Sequence, residues 1–139
     1  MVLHTFFIYS NTRWTTSDKP KSIYDPCPVG WRVPDGGFYG VWSKALGPTY
    51  SYTGTYNSTN GGMHFSGEFG SASTIWYPAT GFRHSGGGDV NYVGSRGHYW
   101  SASPNNYYAC NLKFSSNGSV SPSNSNTRGL GLSVRCFQE

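Results

Sequence analysis

The groups with which this chain could do acid–base or metal chemistry are few and scattered. Its carboxylates are Asp18, Asp25, Asp35, Glu68, Asp89 and Glu139, and its imidazoles are His4, His64, His84 and His98. Proton-transfer catalysis needs such groups positioned together around a reacting bond. Asp18, Asp25 and Asp35 instead fall in turn or cap contexts, and Asp89 follows three glycines. His64 and Glu68 in "HFSGE" are four residues apart, yet Gly67 and the strand-like surroundings deny them a common helical face. No Cys or His cluster has the short spacing of a zinc site. The glycine-rich "HSGGGDVNYVGSRG" lacks a GK[ST] step and does not run from a strand into a helix, so it is no phosphate cradle. The expectation is a non-enzyme without metal or cofactor.

Recognition is the chemistry these residue types favour. Residues 105–128, "NNYYACNLKFSSNGSVSPSNSNTR", set tyrosines among asparagines and serines. Tyrosine supplies a large, rigid, amphipathic contact with few torsions to freeze, and Ser, Gly and Asn supply adaptable hydrogen bonds. The candidate binding face comprises Arg96, His98, Asn105, Asn106, Tyr107, Tyr108, Ser115, Ser116, Ser123, Asn124, Ser125 and Asn126. The same composition also suits a solvated loop with no partner.

Strands must hold that face. In "YYACNLKF" alternation places Tyr108, Cys110, Leu112 and Phe114 on one side and Tyr107, Ala109, Asn111 and Lys113 on the other, which is free to meet solvent or a ligand. "HYWSAS", "STIWYPATGFR", "LHTFFIY" and the closing "GLSVRCF" also read as strands. In "VPDGGFYGVWSKALG" Phe38, Val41, Trp42, Ala45 and Leu46 have helical spacing, with Asp35 a candidate cap and Gly47 a candidate stop. Residues 48–62 and 83–97 read as surface loops. The tryptophans Trp14, Trp31, Trp42, Trp76 and Trp100 are expected in the core.

With 12% charged and 17% aromatic residues, 19 glycines and 8 prolines, the chain favours short strands and turns over long helices. Its 139 residues suit a single domain, 1–139, expected to be the C-terminal part of a longer protein. The net charge of +4 is spread along the chain with no basic run, which argues against nucleic acid, and no apolar stretch is long enough to span a bilayer. Cys27, Cys110 and Cys136 allow three single pairings. In the last expected strand Cys136 shares the inward face with Leu130, Leu132 and Val134. A bridge from Cys136 to Cys27 would close about 109 residues, a constraint of roughly 4–5 kcal/mol in the chain-entropy model, and would suit an oxidising compartment. Two buried free thiols are the alternative.

The ordered segments "KSIYDPCPVGWRVP", "WYPATGFR", "YWSAS", "YYACNLKF" and "GLSVRCF" resemble the Fibrobacter succinogenes major paralogous domain family of bacterial surface proteins, over nearly the whole chain. That resemblance implies an α+β, C-type-lectin-like fold with short twisted antiparallel sheets, one or two helices and long irregular loops. It also implies the Cys27–Cys136 pair and leaves Cys110 as the spare thiol. "SPNN" has Ser103 where a calcium-dependent sugar site carries an acid or amide, and the related formylglycine-generating enzymes use a cysteine pair that Cys110 and Cys136 do not match. The tail from "YWSAS" to "SVRC" further resembles variable regions diversified by retroelements that mutate template adenines.

The resemblance therefore implies a variable receptor-binding module on a bacterial surface or phage particle, extracellular, whose partner is a protein or glycan receptor. Charge and hydropathy argue against nucleic acid and membrane insertion, and the oligomeric state is left open. A fixed adhesive module that binds glycans or neighbouring subunits is the alternative.

Overall fold

A computed structural model describes residues 14–46, 52–53, 55–65 and 75–139. The strand expected at 3–9, the Gly47 helix stop, His4 and Glu68 lie outside these residues. The described chain runs β1 (Trp31–Arg32), α1 (Val41–Leu46), β2 (Tyr52–Thr53), β3 (Thr55–Asn57), β4 (Gly62–Phe65), β5 (Ile75–Pro78), β6 (Phe82–Arg83), β7 (Val90–Asn91), β8 (Arg96–Asn105), β9 (Tyr108–Ser115), β10 (Ser119–Thr127) and β11 (Phe137–Gln138). These strands form four sheets, ordered β2-β10-β9-β8, β3-β4-β5, β1-β11 and β6-β7.

The expected α+β, C-type-lectin-like fold is not what forms: the protein is mostly β, with one short helix among the described residues. Glycines explain why that helix is short. Gly36, Gly37 and Gly40 turn the chain tightly, with Gly40 N donating to Gly37 O and Val41 N to Asp35 O, so the helix starts only at Val41. Asp35 is therefore no helix cap; its carboxylate accepts from the backbone N and hydroxyl of Ser17. Phe38 falls outside the helix and is exposed.

The sheet of β8, β9 and β10 is the spine. On one side of β9, Cys110, Leu112 and Phe114 are buried, and Tyr99 of β8 and Val120 of β10 join Leu112 and Phe114 in the core with Trp42, Met63, Phe65, Tyr77 and Ala79. Edge-on ring contacts knit these residues, including Tyr77 with Tyr99 at 5.0 Å and Phe65 with Tyr77 at 5.3 Å. Their polar tips are satisfied: Trp42 Nε1 donates to Tyr77 Oη (3.0 Å), and Tyr99 Oη donates to the Pro78 carbonyl (2.7 Å). Gly97 leaves room for Phe114, since a Cβ there would lie 2.0 Å from the ring. Of the tryptophans, Trp42 and Trp100 are buried, Trp14 and Trp76 are half-buried, and Trp31 is exposed.

Four segments differ from their sequence reading. Residues 55–57 of the expected loop form β3, paired with β4, and the 83–97 loop contains the second strand of the β6–β7 pair. The polar run at 119–127 is a strand; Pro122 lies where the β10 register slips between Ser121 and Asn124, which spares the ladder the missing N–H. The closing segment is not one strand: Gly131 bridges Arg83, Ser133 bridges Tyr99 in parallel, and only residues 137–138 pair, with β1.

Cys27 and Cys136 form a disulfide across a separation of 109 residues, in a second buried cluster with Val33 and Ala102. Cys110 is the free, buried thiol. Asp25 organises the approach to Cys27: its carboxylate accepts from Cys27 N at 2.9 Å and Val33 N at 3.0 Å. Replacing Cys136 by Ser is expected to lower the unfolding free energy by about 2–4 kcal/mol in urea titrations, and adding reductant to the wild type should give a similar loss.

Candidate functional site

β8 and β9 are joined by a tight turn in which Asn105 pairs with Tyr108. Asn106 takes a left-handed backbone (φ 51°), a conformation asparagine tolerates better than most residues. The turn is braced from β10 and the residues after it. Arg128 donates from Nε to the Tyr108 carbonyl (3.0 Å) and from Nη2 to the Asn106 carbonyl (2.7 Å), while Asn105 Nδ2 donates to Ser125 Oγ at 2.8 Å. On this held turn Tyr107 is 81% exposed and Tyr108 47% exposed. Two large aromatic side chains thus stand in water on a backbone that cannot easily collapse around them.

Beside the turn, the second side of β9 forms an outer face with β10. Asn111 pairs across the ladder with Asn124, and Ala109 with Asn126. Asn124 and Asn126 donate from Nδ2 to Asn111 Oδ1 at 3.1 and 3.4 Å. Asn111 itself is fully buried, and these donors satisfy its carbonyl. Asn124, Asn126, Ser123 and Ser125 are each half-buried.

The remaining candidates lie elsewhere. Arg96 pairs with Ser115 at the far end of β8, roughly 30 Å along a ten-residue strand from the turn. There the Arg96 guanidinium lies 3.8 Å over the Tyr92 ring, and Ser116 N donates to Ser95 O. The structure therefore gathers Asn105, Asn106, Tyr107, Tyr108 and Ser123 to Asn126 toward one end, and leaves Arg96, Ser115 and Ser116 at the other.

His98 belongs to neither surface. It is 4% exposed, with the Phe82 ring 5.2 Å away, and neither ring nitrogen has a hydrogen bond of good geometry. Burial pushes its pKa down to about 4, helped by the cations of Lys113 and Arg96 and opposed by its contact with Asn111. Arg128 and Asn111 are the functional-site residues that sequence reasoning missed. Nothing in "NTRG" marks an arginine that reaches back to a turn, and alternation alone put Asn111 on a solvated face.

The groups considered for chemistry stay apart. His64 lies against the Trp76 ring at 4.6 Å, His84 is exposed, and among the described residues no three His, Cys, Asp or Glu side chains are grouped to hold a metal ion. Burial raises the Cys110 thiol pKa, countered by Ser125, which keeps it a poor nucleophile. A groove of about 330 Å³ lies beside Tyr39 and Lys44; of the charged residues lining it, Asp35 accepts from Ser17, and Arg32 donates to the carbonyls of Thr15, Thr16 and Lys19 and lies 3.8 Å from the Glu139 carboxylate.

The buried imidazole has a pH signature. His98 titrates near 6.5 when unfolded and about 4 when folded, so the unfolded chain takes up the proton first. Its contribution to stability is complete above pH 6.5 and is lost as the pH falls from about 6.5 to about 4. Urea titrations at pH 7, 6, 5 and 4 should show this decline in the wild type and a flatter profile for His98→Phe.

A family model described as "Domain of unknown function (DUF8237)" matches residues 42–137. No curated protein and no solved structure gives a significant match. The matched stretch starts in α1 and reaches β11, taking in the three-stranded spine, the braced turn and the outer-face asparagines. The chain accordingly belongs to the DUF8237 family.

Proposed function

We propose that this domain is a non-enzymatic ligand-recognition module whose site is the β8–β9 turn together with the adjoining outer face of β10. The observation that carries this reading is the pair of exposed tyrosines, Tyr107 and Tyr108, on a turn whose carbonyls are clamped by Arg128. Exposing two aromatic side chains is unfavourable in water, and a rigid support lets them bind without first being ordered. Amide and hydroxyl groups from Asn105, Ser125, Asn124 and Asn126 flank them.

In this reading the domain acts outside the cell, on a bacterial surface or phage particle, against a protein or glycan receptor. The disulfide is compatible with that setting. The resemblance of the tail to retroelement-diversified regions extends the proposal: exposed positions at the turn vary while the core beneath them stays fixed.

Two measurements test this. Labelled domain applied to a panel of intact bacterial cells should bind a subset of them, and the double substitution Tyr107→Ala with Tyr108→Ala should abolish that binding. Its melting temperature should stay within about 2 °C of wild type, because surface substitutions change stability little. Unchanged binding would place the site elsewhere. The second measurement is the DNA around the gene: a near-copy of the segment encoding 96–136, beside a reverse transcriptase, should differ at adenines in codons for 105–108 and 124–126 and spare those for His98, Cys110 and Asn111. Absence of such a copy supports a fixed adhesive module of the same fold.

A further inference from the structure

Asn111 projects from β9 toward the outer face, yet none of its surface reaches solvent. A buried amide is costly unless its donors and acceptor are used. Its acceptor is used twice, because Asn124 and Asn126 both turn their Nδ2 groups onto its one Oδ1. An amide is a fork with donors on one branch and an acceptor on the other. When both β10 donors are turned inward, both Oδ1 atoms take the outward branch. Neither oxygen is a buried orphan, and the side-chain hydrogen bonds of Asn124 and Asn126 among the described residues are those to Asn111, which leaves the two Oδ1 atoms as acceptors on half-buried residues.

The geometry points to Asn111 as a positioning residue that sets the polarity of the binding face, and to the hydroxyl groups of a glycan as what that face accepts; this rests on the recognition site proposed above. Asn126 pairs with Ala109, two residues from the exposed Tyr107, so the acceptor pair and an aromatic ring share one end of the sheet. A sugar ring offers hydroxyl donors along its edge and an apolar C–H face for a tyrosine. A protein partner would find no apolar centre here beyond the two tyrosines, whereas protein interfaces are apolar at their middle. Fixing both amides in advance also removes the entropy cost of ordering them on binding.

The test compares Asn111→Asp, which keeps the acceptor, with Asn111→Leu, which keeps the branched shape and removes the acceptor. Side-chain amide NMR is expected to show slowly exchanging, shifted Nδ2 protons for Asn124 and Asn126 in the wild type and the Asp variant, and free-amide signals in the Leu variant. On an array of neutral oligosaccharides the wild type should bind a subset, the Asp variant should bind the same subset, and the Leu variant should bind about tenfold more weakly or worse, the scale of one lost hydrogen-bonding arrangement. Fast-exchanging Nδ2 protons in the wild type overturn the positioning role without recourse to any variant, so poor folding of either variant does not leave it undecided. A Leu variant that binds glycans as tightly as wild type also overturns it. A wild type that binds no oligosaccharide but still binds cells through Tyr107 and Tyr108 overturns the glycan assignment and leaves the site to a protein receptor. Binding of cells unaffected by the tyrosine substitutions removes the site itself.

Discussion

The strict alternation of β9 between β8 and β10 is the constraint on which the rest of the structure depends. One side of the strand sends Leu112 and Phe114 into the aromatic core, and the other presents Ala109, Asn111 and Lys113 to the outer face. A slip of one residue would exchange the two sets, driving amides into the core and phenylalanine to the surface. The register is therefore fixed by burial on one side and by the asparagine hydrogen bonds on the other. The turn that carries Tyr107 and Tyr108 inherits its position from that register.

Around this spine the chain is short of regular structure and relies on local ties. The 22–33 segment is held by Asp25, whose carboxylate joins the backbone N–H groups of Cys27 and Val33, and by the disulfide to Cys136. Arg32 gathers the carbonyls of Thr15, Thr16 and Lys19 with one nitrogen, and Arg135 donates to the Trp76 carbonyl while lying 4.3 Å over the Tyr77 ring. Apart from the disulfide, each tie satisfies backbone N–H or C=O groups, which lets short strands and irregular segments share one compact body.

What could be read in advance follows from where the information is local. The burial of Cys110, Leu112 and Phe114 was legible because period-two alternation is written in the residues themselves. The exposure of Tyr107 was legible because the same alternation puts it on the side away from Leu112 and Phe114. β10 was not, since Ser, Asn and Pro are poor strand formers and it is the partners β9 and β2 that extend it. The burial of His98 and Asn111 was equally invisible, since distant residues cover them, Phe82 among those packed on His98. The expected helix was shortened where glycines broke a pattern that the apolar residues alone suggested, and the α+β expectation, which the family resemblance supplied, is not met by a mostly β protein.

The clamp on the β8–β9 turn separates shape from side-chain identity. Arg128 addresses the carbonyls of Asn106 and Tyr108, which any residue at those positions would supply. The side chains of Tyr107 and Tyr108 can therefore be exchanged with little disturbance to the loop's path, whereas Asn106, held at φ 51°, and Asn105, bonded to Ser125, are tied to it. In the site proposed above, tolerance to change is thus concentrated at the two tyrosines, and the residue responsible for that tolerance need not touch a partner at all.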